Sequence, residues 1–175
     1  MSARHDQTIH GSAVLVGDRA VLIRGPSGSG KSRLAFDLIL AGRSGQIPAA
    51  TLVGDDRLHL ARVSDRLVVR PPPELAGLIE IRGLGIRRCA FAAEAPLGLV
   101  VDLSASDAER LPPQEALEIS LLGVQVPRVP IGTGFSPLPP VVAALTTTSD
   151  CRHAMRSADC RQEFGNHISP TIATE

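Results

Sequence analysis

The amino-acid sequence predicts an α/β domain, and three observations carry that expectation. An apolar segment, RAVLIR at 19–24, runs directly into the glycine-rich loop GPSGSGKS at 25–32, after which apolar residues recur at helical spacing. The middle of the chain is a succession of short apolar runs broken by glycine, proline and aspartate, as strands joined by turns would be. The length of 175 residues with 43% hydrophobic content suits one domain around one core rather than two independent units.

Taken in order, SAVLVG and RAVLIR flank Gly17-Asp18, a pair favoured in two-residue turns, so residues 12–24 are expected to form a β-hairpin. From Arg33 to Ala41 the apolar residues Leu34, Phe36, Leu38, Ile39 and Ala41 mark a helix with a largely buried face, and Gly42 is its expected stop. RSGQIPAA at 43–50 reads as a loop, and TLV at 51–53 as a buried strand that ends at Gly54-Asp55-Asp56. Strands are expected at 58–61 and 66–70, with Pro71–Pro73 preventing continuation. In LIEIRGLGI at 78–86, Gly83 and Gly85 point to a backbone that bends around something. LGLVVDL at 97–103 is the best candidate for a fully buried strand, and VQVPRVPI at 124–131 is a further strand that its prolines move toward an edge. A last helix is expected over 139–145, leaving 146–175 as a polar tail expected to be mobile beside a domain at 1–145.

Composition narrows the function classes. Eighteen basic and eighteen acidic residues balance to a formal net charge of zero, Trp and Tyr are absent and Phe occurs four times, so neither a basic nucleic-acid groove nor an anionic-membrane patch is expected. No apolar run reaches the roughly 18 residues that span a bilayer, and the N-terminus lacks the apolar stretch of a signal peptide. Cys89, Cys151 and Cys160 form no framework spacing, which fits a reducing cytoplasm. Cys151, His153, Cys160 and His167 match no common zinc-site pattern.

The loop Gly25-Pro26-Ser27-Gly28-Ser29-Gly30-Lys31-Ser32 satisfies G-x-x-x-x-G-K-[ST] and has an apolar strand before it and a helical pattern after it. Glycines allow successive backbone N–H groups to turn toward phosphate oxygens, and the helix start adds its positive dipole end. Lys31, the only lysine in the chain, would bridge the β- and γ-phosphates of ATP, and Ser32 would ligate Mg²⁺. Phosphoryl transfer also needs carboxylates for the metal and for the proton of the attacking hydroxyl. Asp55-Asp56, Glu80 and Asp102, the last placed like a Walker B aspartate, could each supply them, and spacing does not separate these alternatives. His10 is equally open between a surface residue and an acid or base.

Four landmarks in order, His10-Gly11, GPSGSGKS, LVGDD at 52–56 and EIRGLGI at 80–86, resemble the HPr kinase/phosphorylase family, whose members phosphorylate a serine of the phosphocarrier HPr of the sugar phosphotransferase system. The resemblance covers roughly residues 9–145 and corresponds to the catalytic domain; the family's usual N-terminal domain has no counterpart here. It implies a phosphoenolpyruvate carboxykinase-like fold with the P-loop in a mixed sheet. It also implies that residues 25–32 hold ATP and that Ser32 and Glu80 ligate Mg²⁺. Asp56 would then be the base with Asp55 supporting it, while His10 and Arg82 would belong to the active site and Asp102 would be an ordinary strand residue. A cytoplasmic homo-oligomer, hexameric in the family, acting on an HPr-type carrier follows from the same resemblance.

The chain departs from the family where an arginine-containing segment resembling PVRPGRN reads PRVPIGTGF at 127–135, with Arg128 out of register and Thr133 or its neighbours in place of the second arginine. Pro26 also stands where the family commonly has aspartate, and the link between the loop helix and the aspartate pair is longer. The expectation is therefore an ATP-dependent serine kinase, with phosphorylase activity in doubt. A nucleotide-sensing module without turnover is an alternative from another class. A P-loop kinase for a small metabolite is another, although no lid segment with paired arginines is recognisable.

Overall fold

A computed structural model describes residues 6–148. The expected hairpin forms as β2 (Ser12–Val16) and β3 (Arg19–Arg24), paired antiparallel with Val14 opposite Val21. Residues 20–23 are buried on both sides of the sheet, which is why β3 reads as a continuous apolar run rather than an alternating one. Its other neighbour is β9 (Ala95–Leu103), which runs parallel to it with Ile23 beside Val101.

The remaining strands extend this pair into one large sheet. β1 (Asp6–His10), β4 (Ala50–Gly54), β5 (Arg57–Val63) and β6 (Arg66–Arg70) complete the order β1-β5-β6-β9-β3-β2-β4. The far edge of β9 is shared: its first residues pair antiparallel with β6, and Val100–Leu103 pair parallel with β11 (Val124–Ile131), which also carries β10 (Glu118–Leu121). The sheet is thus mixed, as the family resemblance implied. β7 (Leu78–Ile81) and β8 (Gly85–Arg88) form a separate two-stranded sheet.

Alternation along the strands divides the core in two. Val14, Val21, Ile23, Leu99, Val101 and Leu103 face helix α1 (Lys31–Arg43) and helix α2 (Leu138–Thr146). Ala13, Leu22, Val53, Leu60, Val69 and Val100 pack on the opposite side. Each fully buried leucine on these faces contributes about 1.5–3 kcal/mol relative to exposure.

Two local expectations are corrected. Helix α1 does not stop at Gly42 but continues to Arg43, and Gly45 beyond it takes the left-handed conformation at φ 74°. Gly42 serves a close approach instead, because a Cβ there would lie 2.7 Å from both Cβ and N of Ala50. Gly83 and Gly85 sit at φ 88° and 78° about the turn of the β7–β8 hairpin, with open space where a Cβ would project. Asp102 is not an ordinary strand residue, since two arginines converge on it. Of the expected tail, residues 149–175 lie outside the described residues, and with them Cys151, His153, Cys160 and His167. No helix among the described residues is long and apolar enough to cross a membrane.

Candidate active site

The loop at 25–32 joins the C-terminal end of β3 to the start of α1. Gly25 has to be glycine, because a Cβ there would sit 2.8 Å from Ser29 Oγ and 2.9 Å from the carbonyl oxygen of Leu103 on β9. Gly28 and Gly30 take φ values of 78° and 96°, and nothing stands within 4 Å of the positions their Cβ atoms would occupy. Helix α1 therefore begins after a left-handed Gly30 with no side-chain cap and no acidic residue in its first turn, so no side chain of its own segment caps its positive end. Lys31 is buried at 8% exposure, with Nζ donating to the carbonyl oxygens of Gly25 at 3.1 Å and Pro26 at 2.9 Å.

The two adjacent aspartates have different environments. Asp55, 5% exposed, accepts hydrogen bonds at Oδ1 from Ser12 Oγ (2.5 Å) and Ser32 Oγ (2.9 Å), and at Oδ2 from the backbone N–H of Glu80 (3.0 Å). One carboxylate thus ties β2, the P-loop serine and β7 together. Asp56 has a φ of 70°, which turns its side chain outward, and its Oδ1 lies 3.4 Å from Nδ1 of His10. The N–H of Gly11 donates to the Asp56 carbonyl at 3.1 Å, so the β1–β2 junction is fastened to the β4–β5 turn.

Of the remaining expected site residues, Glu80 reaches Asp55 through its backbone, and its own side chain is exposed. Arg82 is exposed in the β7–β8 turn, and no ion pair engages it among the described residues. Pro26, Ser27 and Gly28 form the exposed crest of the loop. His10, Lys31, Ser32, Asp55 and Asp56 are thereby brought together, and Arg82 stands at the margin.

Ser12 escaped the sequence reading, and so did the mutual contact of Asp102 and Arg128, which it had singled out separately. Ser12 is fully buried and opens an otherwise apolar strand two positions after His10, which is the one local signal that could have found it. That contact lies behind the loop, where Asp102 accepts a bidentate pair from Arg24 Nε and Nη2 (2.7 Å each) and a bond from Arg128 Nε (2.6 Å). Arg128 also donates to both carboxylate oxygens of Asp107 and to the carbonyl of Ala116, so its Nε, Nη1 and Nη2 are all engaged. Burial pushes the Asp102 carboxyl up, but the hydrogen bonds and charges of Arg24 and Arg128 outweigh it and hold the pKa below the usual carboxylate range. The bond to Asp107 raises the Arg128 guanidinium in turn, against burial, with Asp102 adding to it.

The donor set fits a phosphorylated nucleotide. Ser29 Oγ is buried without a hydrogen-bond partner, Gly28 and Gly30 leave the loop open, and a lysine and a helix start face the same place. Ser32 offers a hydroxyl oxygen beside the buried Asp55 carboxylate and Glu80 an exposed carboxylate, oxygen donors of the kind Mg²⁺ takes.

Fold and site together define an α/β protein that carries a P-loop sequence in a mixed sheet. Comparison with known proteins narrows this further. The family model described as HPr Serine kinase C-terminal domain matches residues 2–164, and the chain belongs to that family. Similar curated proteins named HPr kinase/phosphorylase include that of Enterococcus faecalis, 38% identical over 73% of this chain and 43% of the relative. That of Azoarcus sp. is 34% identical over 90% of this chain and 51% of its own length. That of Mycoplasma mycoides is 31% identical over 73% of this chain and 43% of its own. The chain thus spans about half the length of the curated relatives it matches. The solved structure of the Hpr(Ser) kinase/phosphatase from Coxiella burnetii superposes with a TM-score of 0.63 at 26% identity, covering 86% of this chain and 97% of that one.

Proposed function

We propose that the chain is an ATP-dependent serine kinase that phosphorylates an HPr-type phosphocarrier protein. The observation that carries this reading is the division of labour between two neighbouring aspartates, one buried on the P-loop serine and one turned outward beside His10. The names of the relatives support the choice of acceptor.

In this reading residues 25–32 bind the phosphates of ATP, with Lys31 balancing the charge that develops as the γ-phosphoryl moves. Ser32 and Glu80 hold Mg²⁺, which when bound neutralises phosphate charge, and Asp55 orients Ser32 through the 2.9 Å bond. Asp56 accepts the proton of the acceptor serine, whose oxygen bonds to the γ-phosphorus while the bond to the β–γ bridging oxygen breaks and its electron pair leaves on ADP. His10 fixes the Asp56 carboxylate, and Arg82 adds positive charge at the rim. Most of the rate enhancement then comes from positioning and charge stabilisation.

Phosphorylase activity is not assigned. The arginine nearest the family's catalytic segment, Arg128, has its donors committed to Asp102, Asp107 and Ala116. A cytoplasmic homo-oligomer, with the family's hexamer as its form, belongs to the same proposal, and so does a catalytic domain that closes near residue 145; analytical sedimentation checks the oligomer.

The deciding experiment follows labelled γ-phosphate from Mg²⁺-ATP to a purified HPr-type carrier, with Lys31→Ala in parallel. Labelled phosphoserine with wild type and none with the variant is expected. ATP binding without any labelled carrier would instead favour a nucleotide sensor or a metabolite kinase. Phosphoserine-carrier mixed with inorganic phosphate is expected to yield no pyrophosphate.

A further inference from the structure

We propose that the solvent face of the β7–β8 hairpin docks the protein acceptor through an apolar contact at Leu84 and Ile86 bordered by arginines. The matching acceptor surface has apolar side chains next to the serine and a carboxylate close by. The proposal rests on the kinase reading above and deepens it.

An isolated two-stranded hairpin is marginal in water and has to be anchored. Here Ile79, 2% exposed, is sunk into the core beside α1, the N–H of Glu80 donates to Asp55, and the N–H of Cys89 closes the base on the Gly77 carbonyl at 2.9 Å. The register pairs Glu80 with Ile86 and Leu78 with Arg88, so these four side chains share one face, opposite to that of Ile79. Ile86 therefore stands directly across from the carboxylate expected to hold the metal, and it is 71% exposed.

Leu84 at the turn is 63% exposed, and the glycines on either side of it face open space. Large apolar side chains left uncovered at the edge of a reaction site mark a contact rather than a packing element. Charge indicates the partner. Arg82, Arg87 and Arg88 are exposed, and none makes an ion pair among the described residues, so their charge is open to a partner. Three guanidinium groups against the single Glu80 make the hairpin net positive, which complements an acidic surface. Because the hairpin is hydrogen-bonded to Asp55, an acceptor seated on Ile86 and Leu84 presents its serine beside the aspartate pair.

The test compares wild type with Leu84→Ser/Ile86→Ser and with Arg88→Glu, using a purified HPr-type carrier. The expected result is a KM for the carrier raised about tenfold or more, as when interface anchors are truncated, with kcat at saturating carrier and the affinity for Mg²⁺-ATP within about twofold of wild type. Calorimetric titration of the carrier, with a non-hydrolysable ATP analogue present, is expected to show the same loss. It reads docking without turnover. Unchanged KM and carrier affinity in both variants overturn the docking proposal while leaving the kinase reading intact. Wild type that binds the carrier but transfers no phosphate overturns the kinase reading, and docking then stands or falls on the variants' binding. Wild type that neither binds nor phosphorylates the carrier overturns docking for this acceptor. A changed oligomeric state in sedimentation with the KM unmoved overturns it too, by giving the face to a second copy, and an equal loss of nucleotide affinity reduces the hairpin to a prop for the ATP site.

Discussion

Ser32 and Asp55, 23 positions apart in the chain, are joined by a hydrogen bond of 2.9 Å that places the last residue of the P-loop on the only buried aspartate of the described core. The bond links the loop to β2 and β7 at once, since the same carboxylate also accepts from Ser12 and Glu80.

Replacing that acceptor should therefore damage the fold as well as the site. Asp55→Ala leaves the buried Ser12 hydroxyl and the Glu80 N–H without a partner, and a loss of about 2–3 kcal/mol is expected in urea denaturation. Ser12→Ala introduced into that background should cost little more, because its partner is already gone.

Asp56 should behave differently. Asparagine tolerates the left-handed backbone found there, so Asp56→Asn is expected to keep the melting temperature and the nucleotide affinity. Removing the proposed proton acceptor should lower kcat by about 10²- to 10⁴-fold. A parallel loss of ATP affinity in fluorescence titration would assign Asp56 to nucleotide binding instead.

The arginine-bound Asp102 predicts a pH dependence of stability. Its folded-state pKa lies below the unfolded value, so its ionised form stabilises the protein above about pH 4, and this contribution is lost as the pH falls through the folded value. Asp102→Asn should accordingly be less stable than wild type at neutral pH, with the gap narrowing under acid. A gap that stays constant from pH 7 to about pH 3 would show that geometry rather than charge holds Arg24 and Arg128.

Gly42 gives a test in which two principles disagree. Helix propensity alone favours alanine over glycine by about 1 kcal/mol. The 2.7 Å approach to Ala50 opposes it, and overpacking of about 1–3 kcal/mol should win, so Gly42→Ala is expected to melt lower than wild type.

What could be read from the chain is what local pattern encodes. The hairpin at 12–24, the strand at 97–103 and the loop with its flanks announce themselves through alternation, turn pairs and glycine spacing. The four family landmarks then brought the mixed sheet within reach. The different environments of Asp55 and Asp56 are harder to read, since the two are adjacent and only the left-handed turn at Asp56 separates a buried carboxylate from an outward one. The cluster around Asp102 was not legible, because its partners lie 78 and 26 positions away and meet it only when β3, β9 and β11 are side by side. The glycines of β7–β8 read two ways in the sequence, because glycine marks a tight hairpin as readily as a wrapped ligand.

The position of β9 bears on how the molecule comes into being. β3 meets β2 across a two-residue turn, but its other edge waits for β9, far down the chain. A nascent chain that has emerged only through β6 carries the whole glycine-rich loop and both aspartates, yet it lacks Leu103, whose carbonyl abuts Gly25, and Asp102, which holds the arginine just before it. Such long-range parallel pairing is slow to form. Assembly of the loop is thus among the later events in the folding of this domain, although its residues precede β9 in the chain.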